Sequence, residues 1–294
     1  MSTAPALVAT EVPVGPARVG LLELGRTHPR VVLAGTLVLL LFLVALLAPF
    51  ISPHDPIAVN ADNAYLPPLS PGHALGTDEL GRDLLSRMLW GARVSLPVAF
   101  VAVAVGLVAG GLIGLVSGYF GGVVDLLLMR LIDALLAFPA LILAIAIVAA
   151  LGPNLTNAMI AIGIVAIPVY ARLVRALVLQ LKQMEFIAAS RSLGATPLRI
   201  VVRHVIPNLL TPVIVQVTLS AGFAILAEAT LSFLGLGAQV PTPDWGQMIN
   251  SGATFLENDP WLAIVPGAAI SITVFSFNLL GDSLRDALDP RLRS

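Results

Sequence analysis

The side chains best placed to recognise a partner lie in one polar stretch, residues 185–207, between two long apolar runs. Gly194 suits the left-handed position that ends a helix, and Thr196 can cap a second helix with Pro197 at its first position. We therefore predict two short helices joined by a glycine turn. The first helix has an apolar stripe, formed by Phe186, Ala189 and Leu193. The second helix is basic, through Arg199, Arg203 and His204. Such a helix pair would either dock a protein or rest on anionic lipid, and its protruding turn favours docking.

Two other groups of charged residues are candidates for function. Glu228 lies in a long apolar run, where an ionisable side chain is a functional candidate by default. It would either line a passage and meet an amino group or a metal cation, or act as a structural hydrogen-bond partner, which is the simpler interpretation. The segment from Asp78 to Arg87 would contact an external protein or cover the mouth of a passage, or its charges would pair with one another.

The composition indicates that these residues are positioned by membrane-spanning helices. The chain is 57% hydrophobic and 11% charged, with a mean hydropathy of +0.95, far from an ordinary soluble domain. Five charge-poor runs are long enough to cross a bilayer as helices, and a loop signal at Gly152-Pro153-Asn154 divides one of them. The sequence thus predicts an all-α integral membrane protein with six spans, near 31–51, 94–117, 131–151, 158–178, 209–235 and 262–281.

The distribution of basic residues predicts the orientation. With the N-terminus inside, only Arg82, Arg87 and Arg93 of the 16 lysines and arginines lie on outer segments, a strong positive-inside bias. Both termini and the loop at 179–207 are therefore expected in the cytosol. The predicted division is a cytosolic tail at 1–30, a first transmembrane helix at 31–52, an external loop with an amphipathic helix (Leu75–Arg93) at 53–93, a five-helix core at 94–282 and a cytosolic tail at 283–294.

The sequence has none of three common motifs of nucleotide-hydrolysing and hydrolytic enzymes. Gly-x-x-x-x-Gly-Lys-Ser/Thr, His-Glu-x-x-His and Gly-x-Ser-x-Gly are missing, cysteine is absent, and the four histidines fall outside the predicted spans. We therefore predict no enzyme, no metal site and no cofactor in this chain. An ion-driven secondary transporter would be expected to show several ionisable residues within its spans or two related halves, and only Glu228 is available.

A glycine recurs at every fourth position of the second predicted span, at Gly106, Gly110, Gly114 and Gly118. One face of that helix therefore carries no side chains, and another backbone can approach it closely. The contact would be ordinary membrane packing or a surface against which other helices move, and packing is the simpler interpretation.

Residues 185–207 resemble the EAA loop of binding-protein-dependent ABC importer permeases, through Glu185, Ala188, Ala189, Gly194, Ile200 and the pair Ile206-Pro207. Three further segments are similar to the dipeptide/oligopeptide/nickel branch of that family, namely 76–87 (GTDELGRDLLSR), 228–246 and 282–291. The resemblance covers roughly residues 28–294 in the expected order. A first span before the Gly-Thr-Asp segment is similar to the C-type subunit, and Ser190 departs from the family's pattern.

The resemblance implies an ABC importer type I permease fold in the bacterial cytoplasmic (inner) membrane. It implies a coupling helix seated in a cleft of an ATP-binding subunit, with Glu185, Ala188, Ala189 and Gly194 forming the contact and Arg191 and Arg199 at its rim. Thr77, Asp78, Arg82, Asp83 and Arg87 are expected to contact the external binding protein.

The partners implied are two ATP-binding subunits that hold ATP and Mg, a homologous second permease, an external substrate-binding protein and membrane lipid, with no nucleic acid. The cargo implied is di- or oligopeptides, with nickel or another small solute of the same branch as the alternative.

Overall fold

Residues 29–288, which the computed structural model describes, form helices and connecting segments without a β-strand. Five helices are long and apolar enough to cross a membrane. They are α1 (Pro29–Ile51), α2 (Leu84–Phe120), α5 (Leu155–Leu181), the continuous helix Pro197–Phe233 and α10 (Trp261–Leu288). α3 (Gly122–Leu136) and α4 (Ala140–Leu151) are together long and apolar enough to make a sixth span. Short helices fill the connections: a 3₁₀ turn (Ala61–Asn63), α6 (Glu185–Ser192) and α9 (Trp245–Ala253).

The third predicted span is a bent pair, not one straight helix. α3 and α4 meet at 89°, where the sequence pattern predicted a single segment at 131–151. The break falls at Phe138-Pro139, because proline has no N–H to donate and disfavours a helical conformation in the residue before it. The Gly152-Pro153 signal marks the end of α4, as predicted.

The predicted amphipathic helix at Leu75–Arg93 is wrong. Residues 75–83 have no helix, and α2 begins at Leu84 because Asp83 caps it: the Asp83 carboxylate accepts a hydrogen bond of 2.8 Å from the Ser86 backbone N–H. The apolar residues after Leu84 are the first turns of a 37-residue spanning helix. Their helical spacing is real, but it belongs to the second span.

The chain ends depart from the predicted tails. Pro29 and Arg30 already belong to α1, and α10 continues to Leu288, so 283–288 is helical and not part of a tail. The rest of the two predicted tails, 1–28 and 289–294, lies outside the described residues.

Helices α2 and α5 pack backbone to backbone along the glycine stripe. A Cβ at Gly106 would lie 2.7 Å from the Ala166 Cβ, and one at Gly118 would lie 2.9 Å from the Val178 Cβ. Residue numbers rise together along both helices, so the two run parallel. At Gly110 and Gly114 a Cβ would overlap the carbonyl oxygens of Ile167 and Ala171. The predicted close approach is confirmed.

The fold therefore has two ends, separated by α2 over about 55 Å. At the first, α9 and the connection at 52–83 cover the start of α2, and the Trp245 indole N–H donates to the Met88 carbonyl at 3.0 Å. We call it the cap end. At the second, Lys182 lies beside the last turn of α2, with its Nζ 2.6 Å from the Tyr119 carbonyl oxygen. We call it the loop end, because residues 182–205 lie there.

Candidate functional site

The polar stretch at the loop end forms the predicted helix–turn–helix. α6 ends at Ser192, Gly194 takes a left-handed φ of +78°, and α7 (Pro197–Ile200) begins beyond it. The Thr196 hydroxyl accepts a hydrogen bond from the Arg199 N–H at 3.4 Å, so threonine is the cap that the sequence predicted. A π-helical segment (Val201–Val205) then joins α7 to α8 (Ile206–Phe233) in one unbroken helix.

A small second core fixes this helix–turn–helix to the transmembrane bundle. Ile187 of α6 and Ile200 of α7 are each 1% exposed. They pack with Val174 and Val178 near the end of α5. The predicted apolar stripe of Phe186, Ala189 and Leu193 is not the buried face, since Leu193 is 88% exposed. Ile187, which lies outside that stripe, makes the anchoring contact.

A polar contact between α6 and the π-helical segment adds to this anchor. The Ser190 hydroxyl donates to the Phe186 carbonyl at 2.8 Å and lies 3.3 Å from Nε2 of His204. The Phe186 and His204 rings also lie beside each other, with centroids 6.1 Å apart. Ser190, which departs from the family's pattern, thus links the two helices. Sequence reasoning missed this pairing, because no spacing rule connects residues 14 positions apart across a turn.

The rest of the helix–turn–helix surface is exposed and mixed in character. Three large apolar side chains, Met184, Leu193 and Leu198, are 48%, 88% and 73% exposed. The predicted contact residues are all exposed on the same structure: Glu185, Ala188, Ala189, Arg191, Gly194 and Arg199. Apolar residues ringed by charges are typical of a protein contact surface. We call the surface formed by these nine residues the coupling surface.

Three polar links connect the loop end of α5 to neighbouring helices. Arg175 pairs with Asp125 of α3 through two contacts of 2.6 Å. Lys182 donates to the Gly118 carbonyl at 3.2 Å as well as to the Tyr119 carbonyl, and so satisfies the open carbonyls at the end of α2. Arg172 pairs with Asp133 at 2.8 Å. The basic residues that indicated orientation therefore also hold α2, α3 and α5 together beside the coupling surface.

At the cap end, the charges predicted to meet a binding protein are buried. Thr77, Asp78, Arg82, Asp83 and Arg87 are all 6% exposed or less. Side chains buried to this extent leave little surface for a partner, and their predicted contact with a binding protein stays a prediction. Their burial corresponds to the alternative in which the charges of the segment pair with one another.

Asp78 is the centre of that pairing. Its carboxylate accepts from the Arg82 Nε at 2.7 Å, lies 3.3 Å from the Arg87 Nε, and accepts from the Arg82 backbone N–H at 3.0 Å. Arg87 also donates to the Pro56 carbonyl at 3.1 Å. A buried ion pair needs such additional hydrogen bonds to offset its desolvation. These contacts close residues 56–87 into a compact cap over α2.

Asp83 has two roles in the same cap. One carboxylate oxygen caps α2 through Ser86, and the other lies 2.9 Å from Nδ1 of His73. Burial opposes ionisation of this carboxyl, but the hydrogen bonds from the Ser86 hydroxyl, from His73 and from the Ser86 backbone amide, with the charge of His54, together lower its pKa. Asp83 is therefore an anion in the folded cap.

Glu228 is a buried member of a polar cluster and is 0% exposed. The Ser232 hydroxyl lies 2.9 Å from Oε1 of Glu228 and 3.1 Å from Oδ2 of Asp244. The other Asp244 oxygen caps α9 by accepting from the Gln247 N–H at 3.1 Å. This geometry corresponds to the structural alternative for Glu228, because within this chain the side chain does not face an open passage.

The same cluster seats α9 on the end of α8. A Cβ at Gly246 would overlap the Ala229 carbonyl, and one at Gly91 would lie 2.8 Å from the Trp245 ring. Trp245 is 3% exposed, so it packs inside the cap end. Glycines in α2 and α9 permit this contact because a side chain at either position would push α9 away.

Comparisons with known proteins decide the family. Residues 110–294 match a family model described as "Binding-protein-dependent transport system inner membrane component", which is more than half of the chain. The chain belongs to this family of inner-membrane transport components. Residues 26–68 of the permease also match the "N-terminal TM domain of oligopeptide transport permease C". The predicted family, its all-α membrane fold and its inner-membrane location are confirmed.

Individual relatives agree with the family match. The permease is 47% identical over 252 residues to the dipeptide transport system permease protein DppC of Alkalihalophilus pseudofirmus, covering 86% of this chain and 83% of that one. It is 44% identical over 263 residues to the glutathione transport system permease protein GsiD of Pectobacterium atrosepticum, covering 90% and 87%. Membership of a binding-protein-dependent system implies a substrate-binding protein and an ATP-binding partner.

A solved structure shows the same fold. The inward-facing MetNI methionine ABC transporter aligns with a TM-score of 0.58 at 20% identity, over 70% of this chain and 98% of that chain. The permease therefore has the fold of an ABC importer permease.

Proposed function

We propose that this permease is the non-catalytic membrane subunit of an ATP-driven importer and forms half of its pathway for di- or oligopeptides. The coupling surface carries the proposal: three exposed large apolar side chains at the loop end, among charges, on two short helices anchored by Ile187 and Ile200. Relatives at 43% to 47% identity whose names specify dipeptides support the cargo. ATP and Mg bind to partner subunits, since the sequence has no phosphate-binding loop.

The proposed assembly places this chain beside a homologous second permease, with two ATP-binding subunits at the loop ends and an external substrate-binding protein at the cap ends. The loop end and both termini face the cytosol in this arrangement, which the positive-inside bias supports. The exposed apolar side chains along the long helices, such as Leu46 and Phe275, meet lipid or the second permease.

Movement at the coupling surface has two routes into the bundle. α6 follows α5 directly, and α5 is held to α2 and α3 by Lys182 and Arg175. α7 continues through the π-helical segment into α8, which ends at the Glu228 cluster beneath α9. Displacing the helix–turn–helix as a unit therefore moves both the glycine-packed helix pair and the cap end. Such transmission requires rigid packing, which the second core supplies.

The test is ATP-dependent uptake of a labelled dipeptide by the complete importer in proteoliposomes. Leu193→Asp places a charge on the coupling surface, and we expect at least a tenfold weaker contact with the ATP-binding subunit, as for a contact residue worth about 2 kcal/mol. Leu69→Asp is the matched control for that contact, because Leu69 is also 88% exposed but lies at the cap end. The binding protein is proposed to dock at that end, so the control is scored by co-purification of the ATP-binding subunit and not by uptake.

The proposal requires Leu193→Asp to lose uptake and the bound ATP-binding subunit, while Leu69→Asp keeps that subunit. Full uptake with Leu193→Asp would show that ATP-binding subunits dock elsewhere. ATP-dependent uptake of nickel or free amino acids in preference to dipeptides would overturn the cargo and leave the subunit's role intact.

A further inference from the structure

Two histidines and an aspartate meet at the cap end and have no part in the coupling surface. Nδ1 of His73 lies 2.9 Å from Oδ1 of Asp83, and Nδ1 of His54 lies 3.7 Å from Oδ2. The two imidazole rings stack with centroids 4.7 Å apart. One potential ligand atom from each residue falls within 4.8 Å of the others.

The surrounding chain fixes the positions of all three residues. The His54 backbone N–H donates to the Ser86 hydroxyl at 3.1 Å, and that hydroxyl donates to Asp83 at 2.6 Å. The Gly76 N–H donates to the His73 carbonyl at 3.0 Å. Asp83 is tied to α2 as its cap. The group is therefore held by backbone and cap contacts and not by flexible surface loops alone.

The separations suit a divalent transition metal. Two ligands held 2.0–2.2 Å from a tetrahedral zinc ion lie about 3.4 Å apart. The 2.9 Å between His73 Nδ1 and Asp83 Oδ1 is close to that value. The 3.7 Å from His54 Nδ1 runs to the other oxygen, Oδ2, so the His54 ring would have to turn out of its stack on His73 to meet an ion at Oδ1. Imidazole nitrogen with carboxylate oxygen is the ligand set that Zn²⁺ accepts, and three protein ligands leave one position open to water.

The burial of the three side chains and the contact made by the other ring nitrogen of His73 also bear on metal binding. The side chains of His73 and Asp83 are 10% and 1% exposed, whereas that of His54 is 41% exposed, so an ion can enter from the His54 side. The far nitrogen of His73, Nε2, lies 3.5 Å from the Asn63 side-chain amide. With an ion on Nδ1, the proton of the ring would sit on Nε2, and the Asn63 amide would turn its oxygen toward it as the acceptor. An ion would replace only the proton between His73 and Asp83, and the cap bonds from Ser86 to the other oxygen would remain.

We propose that His54, His73 and Asp83 form a Zn²⁺ site that ties the end of α1 to the start of α2. His54 follows α1 by three residues and Asp83 immediately precedes α2. A bound ion would join these two points and His73 on the loop between them. The site is separate from the coupling surface and does not depend on the identity of the cargo.

The experiment uses the complete importer purified through an affinity tag without histidine and stripped with a chelator. Co²⁺ is added as a coloured substitute, its visible absorption is followed, and Zn²⁺ is then added to displace it. Melting temperature is measured with and without Zn²⁺. The variants are His54→Gln and His73→Gln, and the matched control is His204→Gln, which removes a histidine at the loop end.

We expect one saturable metal per permease, a rise in melting temperature with Zn²⁺, and a loss of affinity of tenfold or more in either cap variant, the order of effect seen when a metal site loses supporting contacts. His204→Gln should bind as the wild type does. The melting temperature of each variant in chelator shows whether it is folded, and His54→Gln in particular should stay folded because its side chain is 41% exposed.

Unchanged affinity in a folded His54→Gln variant would overturn the site, as would wild-type binding that is non-saturable. Loss of binding in His204→Gln would place the metal at the loop end instead. Because metal binding is measured without transport, none of these outcomes bears on the proposed import of peptides.

Discussion

Arg175 and Asp125 are joined by two hydrogen bonds of 2.6 Å each, across 50 residues of sequence and between α5 and α3. The Asp125 carboxylate also accepts from the Ser117 hydroxyl of α2, so one acidic group connects three helices. The pair lies two turns before Lys182, where α5 leads into the coupling surface. It is therefore placed to pass movement from α6 to the rest of the bundle.

Breaking this pair should uncouple the importer more than it destabilises it. Arg175→Met removes the bidentate contact, and because the two side chains are 33% and 19% exposed the stability loss should be about 1 kcal/mol. We expect dipeptide uptake per ATP hydrolysed to fall several-fold. Arg172→Met is the control, since its partner Asp133 and Arg172 itself are 47% and 56% exposed. Equal uptake per ATP in the two variants would contradict a transmitting role for Arg175.

The turn at Gly194 should be intolerant of a β-branched residue for reasons of backbone conformation alone. Its φ of +78° is strained for such a side chain, yet a Cβ there would meet no other atom within 4 Å. Gly194→Val should therefore cost about 1–3 kcal/mol locally and distort the coupling surface, with loss of transport-linked ATPase activity. Gly72→Val matches it, with φ of +83° and equally open space at the cap end. Transport-linked ATPase activity retained in Gly194→Val and lost in Gly72→Val would count against the coupling role.

The glycine stripe predicts that neighbouring positions of α2 differ sharply in whether they tolerate a side chain. A side chain at Gly110 would overlap the Ile167 backbone, whereas the nearest atom to a Cβ at Gly111 is the Leu107 Cδ1 at 3.8 Å. Gly110→Val should separate α2 from α5 and abolish assembly of the importer, since backbone atoms cannot move aside as a side chain can. Gly111→Ala should leave assembly unchanged. Both variants are assayed by co-purification of the ATP-binding subunit and by melting temperature. Normal assembly of Gly110→Val would disprove the tight pairing of α2 with α5.

The stripe is an example of the features of this fold that could be predicted from the sequence. Helical spans, the glycine contact and the turn at Gly194 depend on local spacing and on residues with special backbone properties, so they were predicted. The 89° bend between α3 and α4 was not, although Pro139 was visible, because most prolines in membrane helices are accommodated without a break. The loop signal at Gly152-Pro153 was stronger, so the long apolar run was divided into two spans there and nowhere else.

The cap end was predicted poorly for a different reason. A run of charged residues in a membrane protein usually lies in water, but Asp78, Arg82 and Arg87 satisfy one another and are buried. Their burial depends on distant partners: Arg87 reaches Pro56, and Trp245 reaches Met88 across 157 residues. No pattern within a window of sequence contains such pairs. The histidine cluster was missed likewise, because residues 54, 73 and 83 meet only after the cap has folded.

Glu228 should tolerate loss of its charge but not of its hydrogen-bonding groups. Ser232 has one hydroxyl proton and lies within hydrogen-bonding distance of both Glu228 and Asp244. A glutamine at position 228 keeps the shape and supplies donors, so Glu228→Gln should retain dipeptide uptake and melting temperature. Glu228→Ala leaves a void and removes a partner from a fully buried cluster, which should cost about 1–3 kcal/mol and loosen α9. Uptake by Glu228→Gln decides between the two roles considered for this residue. If uptake is lost while the melting temperature is unchanged, the carboxylate charge itself serves transport. The structural assignment of Glu228 would then be wrong.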